Sequence, residues 1–340
     1  MPNRRHFHHA AGALALGALA PPGQAQNTAQ TAAQATVNTA VPATTVLWSG
    51  FPPGGLGDQV TRPLLDKLRG RYPGTLVLDS RPGAGGRIAA DFVKRATPDG
   101  GTLLQTPSSV VALYPHLYPK LPYQPLTDFV PVLPLCSYAV CFTAGPGLPA
   151  EVRTLADYLR WAKASPANTN YGIPAAGSAL HFAGMLLSRS TGVALSSVPY
   201  RGGGPLLQDL LGGQVPVSFS VVSEVLPHVR AGRLRALAIT SPQRWPAMPE
   251  VPTMAELGVR DCDIIEFLGW YAPANTPAAL VQRLNAAATE ALATPEMTEV
   301  LAKLGLQPLR MAPDEFSRFV RREHDAWGPL VKATGFKAEE

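Results

Sequence analysis

Short apolar runs alternate with amphipathic segments along the chain from Thr44 onwards. The run TTVLWS is followed by a segment that places Leu64 and Leu68 on one helical face, and TLVLDS begins the same succession again. Short runs of β-branched and apolar residues favour strands, whereas helical spacing of the apolar residues favours helices. The succession predicts a βαβαβ unit, in which right-handed crossovers build a parallel sheet covered on both faces.

A long β-like run, FVPVLPLCSYAVCFTA, ends at a turn rich in glycine and proline, after which the alternation restarts. Four further short runs separated by helical segments predict a second α/β unit of about a hundred residues. These runs are TNYG, LSSVPY, VPVSFSVV and LRALAIT.

A second long run, IIEFLGWYAPA, leads into helical segments that have no strand of their own. We expect these helices to pack back onto one of the two sheets. Two long runs, one leaving the first unit and one returning to it, indicate two domains joined by a double crossover. Such a connection makes a hinged cleft, and open α/β sheets bind ligands at the carboxyl ends of their strands.

The first 25 residues have the layout of a secretory signal peptide: a basic start at Arg4 and Arg5, an apolar stretch, and a small-x-small cleavage site ending at Ala25. Residues 26–43 have no apolar periodicity and predict a flexible leader. We expect the mature protein to work in the periplasm. The sequence leaves open whether it is exported by the general Sec route or by the twin-arginine route.

The 340-residue chain is 46% apolar and 16% charged, a composition typical of a globular protein. Its 29 Lys and Arg against 24 Asp and Glu give a net charge of +5, and removal of residues 1–25 takes away two arginines and leaves +3. The sequence has no basic cluster with interleaved aromatic residues, which argues against a nucleic-acid partner. Cys136, Cys141 and Cys262 have no disulfide-framework spacing, so buried free thiols are favoured over a disulfide.

The segment FPPGGLGD joins the first predicted strand to the first predicted helix. Gly54 and Gly55 can bring bare backbone N–H groups to an anion at the start of that helix, where the helix dipole favours negative charge. An ordinary βα turn with Asp58 as the N-cap is the structural alternative. We expect Asp58 to orient the loop rather than to contact a ligand, because a carboxylate that lines an anion site would repel the anion.

Three other motifs give weaker chemical signals. The segment RPGAGGRIAADF resembles a dinucleotide fingerprint but has Ile88 where a glycine is required. Ser178 and His181 could form a nucleophilic pair, but no GxSxG motif or orienting acid accompanies them. A role for Ser178 as an N-cap or as a hydrogen-bond donor to a ligand is favoured. Glu224 and His228 have a metal-ligand spacing without a third ligand nearby. The sequence therefore predicts no catalytic residue, no metal site and no cofactor.

Several long blocks follow one another in one register from Val46 to the C-terminus. They include FPPGGLGD, RPGAGGRIAADFVKRATPDGGTLL, VPYRGGGPLLQDLLGGQV, LPHVRAGRLRALAITSPQRWPAMPEVPTMAELG and WYAPANTPAALVQRLN. Together they closely resemble the solute-binding receptors of tripartite tricarboxylate transporters, the Bug proteins. The resemblance implies a type II-like periplasmic-binding-protein fold: two α/β domains, each a mostly parallel sheet flanked by helices, joined by two crossover strands. Domain 1 would comprise residues 44–143 plus 265–340, and domain 2 residues 144–264.

Members of this family resemble one another in how they bind a ligand carboxylate. Backbone amides and the hydroxyl groups of small side chains, from glycine loops on both domains, hold it. By this resemblance, the ligand-binding residues would be Phe51, Gly54, Gly55, Asp58, Thr106, Gly177, Ser178, His181, Tyr200, Gly202, Gly203, Gly204 and Ser220. The chain departs from the family where Pro216 and Ser220 replace aspartates. The loss of an acid at Ser220 would change which group of the ligand, besides its carboxylate, is recognised. An amino group is one example.

The resemblance implies a non-catalytic receptor that captures a small organic acid or an amino-acid-like ligand in the cleft between the domains. Its implied partners are the large and small subunits of a membrane permease. A ligand-sensing receptor that docks on the sensor kinase of a two-component system is the alternative, and a Ser/His hydrolase is a more remote one. We expect a monomer.

Overall fold

The computed structural model describes residues 40–336. The predicted signal peptide and most of the predicted leader lie outside the described residues. The described chain forms ten strands, and the first begins at Thr44, where the sequence predicts that the fold starts. The strands are β1 (Thr44–Ser49), β2 (Thr75–Ser80), β3 (Thr102–Pro107), β4 (Phe129–Ala144), β5 (Asn170–Ile173), β6 (Ser196–Pro199), β7 (Val217–Val221), β8 (Arg235–Ile239), β9 (Ile265–Pro273) and β10 (Gln307–Pro308).

Eleven α-helices occur in the same range, and none of them is long and apolar enough to cross a membrane. They are α1 (Leu56–Leu68), α2 (Arg87–Lys94), α3 (Tyr114–Leu117), α4 (Pro125–Asp128), α5 (Leu155–Ala164), α6 (Ala179–Thr191), α7 (Gly203–Leu211), α8 (Val222–Arg230), α9 (Ala278–Leu292), α10 (Pro295–Lys303) and α11 (Pro313–Thr334). The apolar pattern does not predict α3 or α4, because each is only about one turn long.

The strands form one mixed sheet in the order β2-β1-β3-β9-β4-β7-β5-β6, and β8 and β10 also pair with β4. β1 is parallel to β2 and β3, as the βαβαβ pattern predicts, and β5 is parallel to β6 and β7. β9 runs antiparallel to both β3 and β4. We call β1, β2, β3 and β9 the first strand group, and β5, β6, β7 and β8 the second strand group.

The 16-residue strand β4 pairs with strands of both groups and is shared by them. Its first part, from Phe129 to Ala139, pairs with β9, and its last five residues pair with β7. The register against β9 shifts after Pro131 and again after Pro134. Proline has no N–H to donate to a sheet ladder and is tolerated in strands mainly at edges and bulges, which accounts for irregularities at these positions.

The buried apolar side chains form a larger and a smaller core cluster. Cys136 lies in the larger cluster and Cys141 in the smaller one, which fits the expectation that an odd separation on a strand points the two side chains to opposite faces. Cys262 lies in the larger cluster as well. All three are free and buried, and the predicted buried thiols are confirmed.

The C-terminal helices pack back onto the first strand group and β4, as the sequence predicts. α9 contacts α1 and β4, α10 contacts α1, and α11 contacts β4. The buried side chain of Asn285 fixes α9, because its Nδ2 donates to the backbone oxygens of Val132 (2.8 Å) and Met311 (3.0 Å). One amide thus links the helix to β4 and to the chain that leads into α11.

Gly184, within α6, lies against the ring of Tyr171 in β5, and a Cβ at this position would overlap that ring. We expect Gly184→Ala to lower the free energy of unfolding by about 1–3 kcal/mol, because overpacking a filled core forces side chains away from their rotamers. Chemical denaturation measures this change. Gly204→Ala in α7 is the matched control, because a Cβ there meets nothing within 4 Å. Equal losses in the two variants would contradict the overpacking explanation.

Candidate functional site

A cavity of about 80 Å³ lies at the carboxyl ends of β1, β3 and β7. Phe51, Gly55 and Gln105 line it from the first strand group and its loops, and Ser178 and Glu224 line it from the second. One buried water needs about 10–15 Å³, so this space can hold several waters or a small ligand. Its position is the one expected for a ligand site in an open α/β sheet.

The glycine loop after β1 ends at Gly55, which is the N-cap of α1 and supplies no side-chain cap. Asp58 is therefore the third residue of the helix, and the alternative in which it acts as the N-cap is wrong. Its carboxylate instead accepts a hydrogen bond from Arg62, one turn further along (2.6 Å). Because the loop supplies no side-chain cap, the backbone N–H of Leu56 at the start of α1 is available to an acceptor from elsewhere in the chain.

The carboxyl group of Glu224 reaches the start of α1 from α8, the helix that follows β7 of the second strand group. Glu224 lies in the first turn of α8 and accepts a hydrogen bond from the backbone N–H of Leu56. Gly203 leaves room for it, because a Cβ there would overlap the carboxylate, whereas a Cβ at Gly55 would lie 3.5 Å from its Oε1, an ordinary van der Waals contact. Desolvation disfavours the charged form and raises the pKa of Glu224 to about 7.

Glu266, in β9, is a second carboxylate that lines the cavity, and it is 2% exposed. Its Oε1 accepts from Ser108 Oγ (3.1 Å) and from the backbone N–H (2.8 Å) and hydroxyl of Ser109. Its Oε2 accepts from the hydroxyl of Tyr138 in β4 (3.1 Å). Ser109 Oγ also accepts from the backbone N–H of Ala179 at the start of α6 (3.0 Å). Burial raises the pKa of Glu266, and these hydrogen bonds oppose the rise.

Gln105, in β3, presents a buried donor that has no partner. Its Oε1 accepts from the hydroxyl of Thr61 and from Trp270 Nε1 (3.1 Å). These two donors fix the orientation of the amide, so its Nε2 is the atom left without a hydrogen bond. Because a buried donor without an acceptor costs about 1–3 kcal/mol, a ligand oxygen at this position would be stabilised.

Ser178 and His181 are close together, but they do not form a nucleophile and base pair. Ser178 Oγ accepts from the backbone N–H of His181 (3.3 Å), which confirms the predicted N-cap of α6, and donates to the backbone oxygen of Ala175 (2.8 Å). His181 Nδ1 accepts from the backbone N–H of Gly177 (3.1 Å). Desolvation lowers the pKa of His181 to about 4, so the ring is neutral at neutral pH and acts as an acceptor.

Among the other predicted residues, Phe51, Gly55 and Asp58 line the cavity with Ser178. Tyr200 and Gly202 line an adjoining groove of about 640 Å³, which Phe51 also reaches. Gly203 lies against Glu224. The residues that line neither space are Gly54, Thr106, Gly177, His181, Gly203, Gly204 and Ser220.

Ser220 lies outside the cavity because side chains alternate along a strand. Val221 faces the cavity, whereas the Ser220 hydroxyl shares a hydrogen bond with that of Ser218, 2.7 Å away. Thr106 is 1% exposed, and its hydroxyl has no partner, although it does not reach the cavity.

Gln105, Ser109 and Glu266 are not among the site residues predicted from the sequence, and Glu224 appears there only as half of a metal pair. Within residues 40–336, no group of three His, Cys, Asp or Glu side chains could hold a metal ion. A sequence signal is present for Glu266, which is the only charged residue in the largely apolar strand β9. Gln105 gives a weaker signal, because β3 also contains two threonines. Polar side chains are rarely buried without a specific partner.

Solved structures of periplasmic binding proteins share this architecture. An R. palustris protein solved with adipate has a TM-score of 0.81 at 31% identity, covering 86% of this chain and 98% of that one. The periplasmic binding protein BugD has a TM-score of 0.81 at 28% identity, covering 87% and 99%. MatC from Rhodopseudomonas palustris, solved with bound malate, has a TM-score of 0.79 at 30% identity, covering 85% and 98%. The fold is therefore that of a periplasmic solute-binding protein.

Residues 60–336 match the family described as the tripartite tricarboxylate transporter family receptor, TctC. Protein BugT of Bordetella pertussis is 35% identical over 288 residues, which is 84% of this chain and 88% of that protein. A UPF0065 protein from the tcbD-tcbE intergenic region of Pseudomonas sp. strain P51 is 34% identical over 296 residues, 86% of this chain and 87% of that one. This chain belongs to the TctC receptor family, and the predicted resemblance is confirmed.

The raised pKa of Glu224 predicts a pH-dependent stability difference. The pKa of Glu224 is about 7 in the folded protein, against an ordinary value of 4.5. Between these two pH values the folded state binds more protons than the unfolded state. The stability of the wild type therefore falls as the pH rises through this window. Glu224→Gln removes the effect. We expect the variant to gain up to about 3 kcal/mol relative to the wild type between about pH 4.5 and about pH 8, measured by chemical denaturation.

Glu256→Gln is the control for this comparison. Hydrogen bonds from the backbone N–H of Thr253 and from Arg244 lower the pKa of Glu256. This carboxyl therefore stays ionised over the upper part of the same window, and its difference from the wild type should be equal at about pH 6 and about pH 8. A Glu224→Gln difference that is equally flat would contradict the assigned pKa of Glu224.

Proposed function

We propose that this chain is an exported receptor that binds a small carboxylate-bearing metabolite in the cavity between the two strand groups and delivers it to a permease of one large and one small membrane subunit. The observation that carries this proposal is the unpartnered Nε2 of Gln105, a buried donor in the cavity lining. Membership of the TctC family supports it, as do the adipate and malate named for two similar structures.

The proposed binding motion is closure of two domains, residues 44–143 plus 265–340 and residues 144–264. The chain passes between the strand groups at β4 and again before β9, so a hinge at these strands would open the cavity. Two contacts would hold the closed form: the hydrogen bond from Leu56 to Glu224, and that from Ala179 to Ser109. Ligand binding between the domains would add contacts that favour closure.

The proposed receptor is non-catalytic and works in the periplasm. Ser178 supports the first part, because its hydroxyl donates to a backbone oxygen and no imidazole accepts its proton. A nucleophilic serine needs a base within hydrogen-bond reach of its hydroxyl. The predicted signal peptide and membership of a family of periplasmic receptors support the periplasmic location.

A ligand screen tests the proposed function. Thermal unfolding of the purified mature protein is followed with monocarboxylates, dicarboxylates, aromatic acids and amino acids. A ligand at about a hundred times its Kd should add about 2.7 kcal/mol of stability and raise the Tm by several degrees. A folded, ligand-free protein whose Tm no acid of the panel changes would overturn the proposal.

Gln105→Glu tests the donor that carries the proposal. The variant keeps the oxygen that accepts from Thr61 and Trp270 and replaces only the unpartnered Nε2 by a second oxygen. We expect the affinity for any carboxylate ligand found in the screen to fall by about tenfold or more, because its carboxylate would face an acid instead of a donor. Isothermal titration calorimetry measures this loss.

Gln208→Glu makes the same charge change on the exposed face of α7 and should leave the affinity unchanged. Thermal unfolding of both variants shows whether each is folded at the temperature of the titration. If a folded Gln105→Glu variant bound the ligand as tightly as the wild type, Gln105 would have no part in binding.

A further inference from the structure

The charges that line the cavity are all of one sign. Asp58, Glu224 and Glu266 contribute carboxyl groups, and the lining contains no Lys, Arg or His within the described chain. Only Asp58 has a cationic partner, Arg62, which does not itself line the cavity. A dicarboxylate would add two negative charges to a small space that already contains two carboxyl groups without a cation. Like charges in a shared, poorly solvated site disfavour each other strongly.

The two carboxyl groups without a cationic partner, those of Glu224 and Glu266, differ in the number of hydrogen bonds that they accept. Glu266 accepts four hydrogen bonds from Ser108, Ser109 and Tyr138. Glu224 accepts one, from the backbone of Leu56, and it keeps part of its side chain exposed. A carboxylate has about four acceptor positions. Glu224 therefore has free acceptor capacity towards the cavity, and Glu266 has little.

We propose that Glu224 is a specificity-determining residue that accepts hydrogen bonds from an ammonium group of the ligand, so that the cavity takes a small zwitterion with its carboxylate towards Gln105 and its ammonium towards Glu224. The inference rests on the proposed function and narrows it to amino-acid-like ligands. It also supplies the acid that is absent at Ser220, since Glu224 in the first turn of α8 lines the cavity and Ser220 does not.

The titratable groups that share the cavity with Glu224 support this assignment. Asp58 from α1, Glu266 from β9, Tyr138 from β4 and Tyr114 from α3 line the same cavity, and none of them can supply a positive charge. A largely buried acid without a cation is destabilising until a cation arrives. In this site the ligand would bring the cation, and its binding would favour the ionised form of Glu224.

Matched pairs of acids with and without an amino group test the proposal. The probes are β-alanine with propionate, 4-aminobutyrate with butyrate, and L-aspartate and L-glutamate with succinate and glutarate. They are titrated calorimetrically into the wild type, Glu224→Gln and Glu256→Gln. We expect an amino member to bind the wild type at least about tenfold more tightly than its partner, and more tightly at about pH 8 than at about pH 6, because ionised Glu224 is required.

The Glu224→Gln variant is expected to lose this preference and its pH dependence, while Glu256→Gln retains both. Thermal unfolding confirms that each variant is folded. The inference is overturned if acids without an amino group bind the wild type as tightly as their amino partners, or if Glu224→Gln binds the amino members as tightly as the wild type does. Either result leaves the proposed receptor function in place. Absence of binding by every probe and by the wider acid panel would overturn both.

Discussion

Both strand groups are built on one shared strand, β4, and the rest of the architecture follows from this constraint. Its first part completes the sheet of the first group, and its last residues complete that of the second. Glu266 lies beside β4 and binds Tyr138 of that strand and Ser109 of the turn after β3. The hydrogen bond from Ala179 to Ser109 then extends the same network to α6. The cavity therefore forms where the shared strand brings both groups together.

The glycine at the start of α7 has a second structural role beyond freeing backbone amides. Without a Cβ atom, Gly203 leaves space in which the Glu224 carboxyl group can approach the start of α1. A helix N-terminus favours an anion, and here part of that stabilisation goes to a side chain of the protein itself. A ligand in this cavity therefore meets an acidic group where the glycine motif alone suggests only bare amides.

The sequence predicts the elements well because their signals are local. The start of β1 at Thr44, the parallel pairing of β1 to β3 and the N-cap at Ser178 each follow from a few neighbouring residues. The site is harder to predict, because it depends on distant contacts. The orientation of the Gln105 amide is set by Thr61 and Trp270, which lie 44 and 165 positions away in the chain. No local pattern could show which amide atom would remain unpartnered.

Burial of the three thiols has a consequence for the lifetime of the protein in an oxidising compartment. Desolvation raises the pKa of Cys136, Cys141 and Cys262 to about 12. The thiolate is the form that attacks disulfides and oxidants, so the folded chain is almost inert to both. The unfolded chain exposes ordinary thiols, two of them five residues apart. In the periplasm proposed for this receptor, oxidative damage would therefore be limited by how often the fold opens.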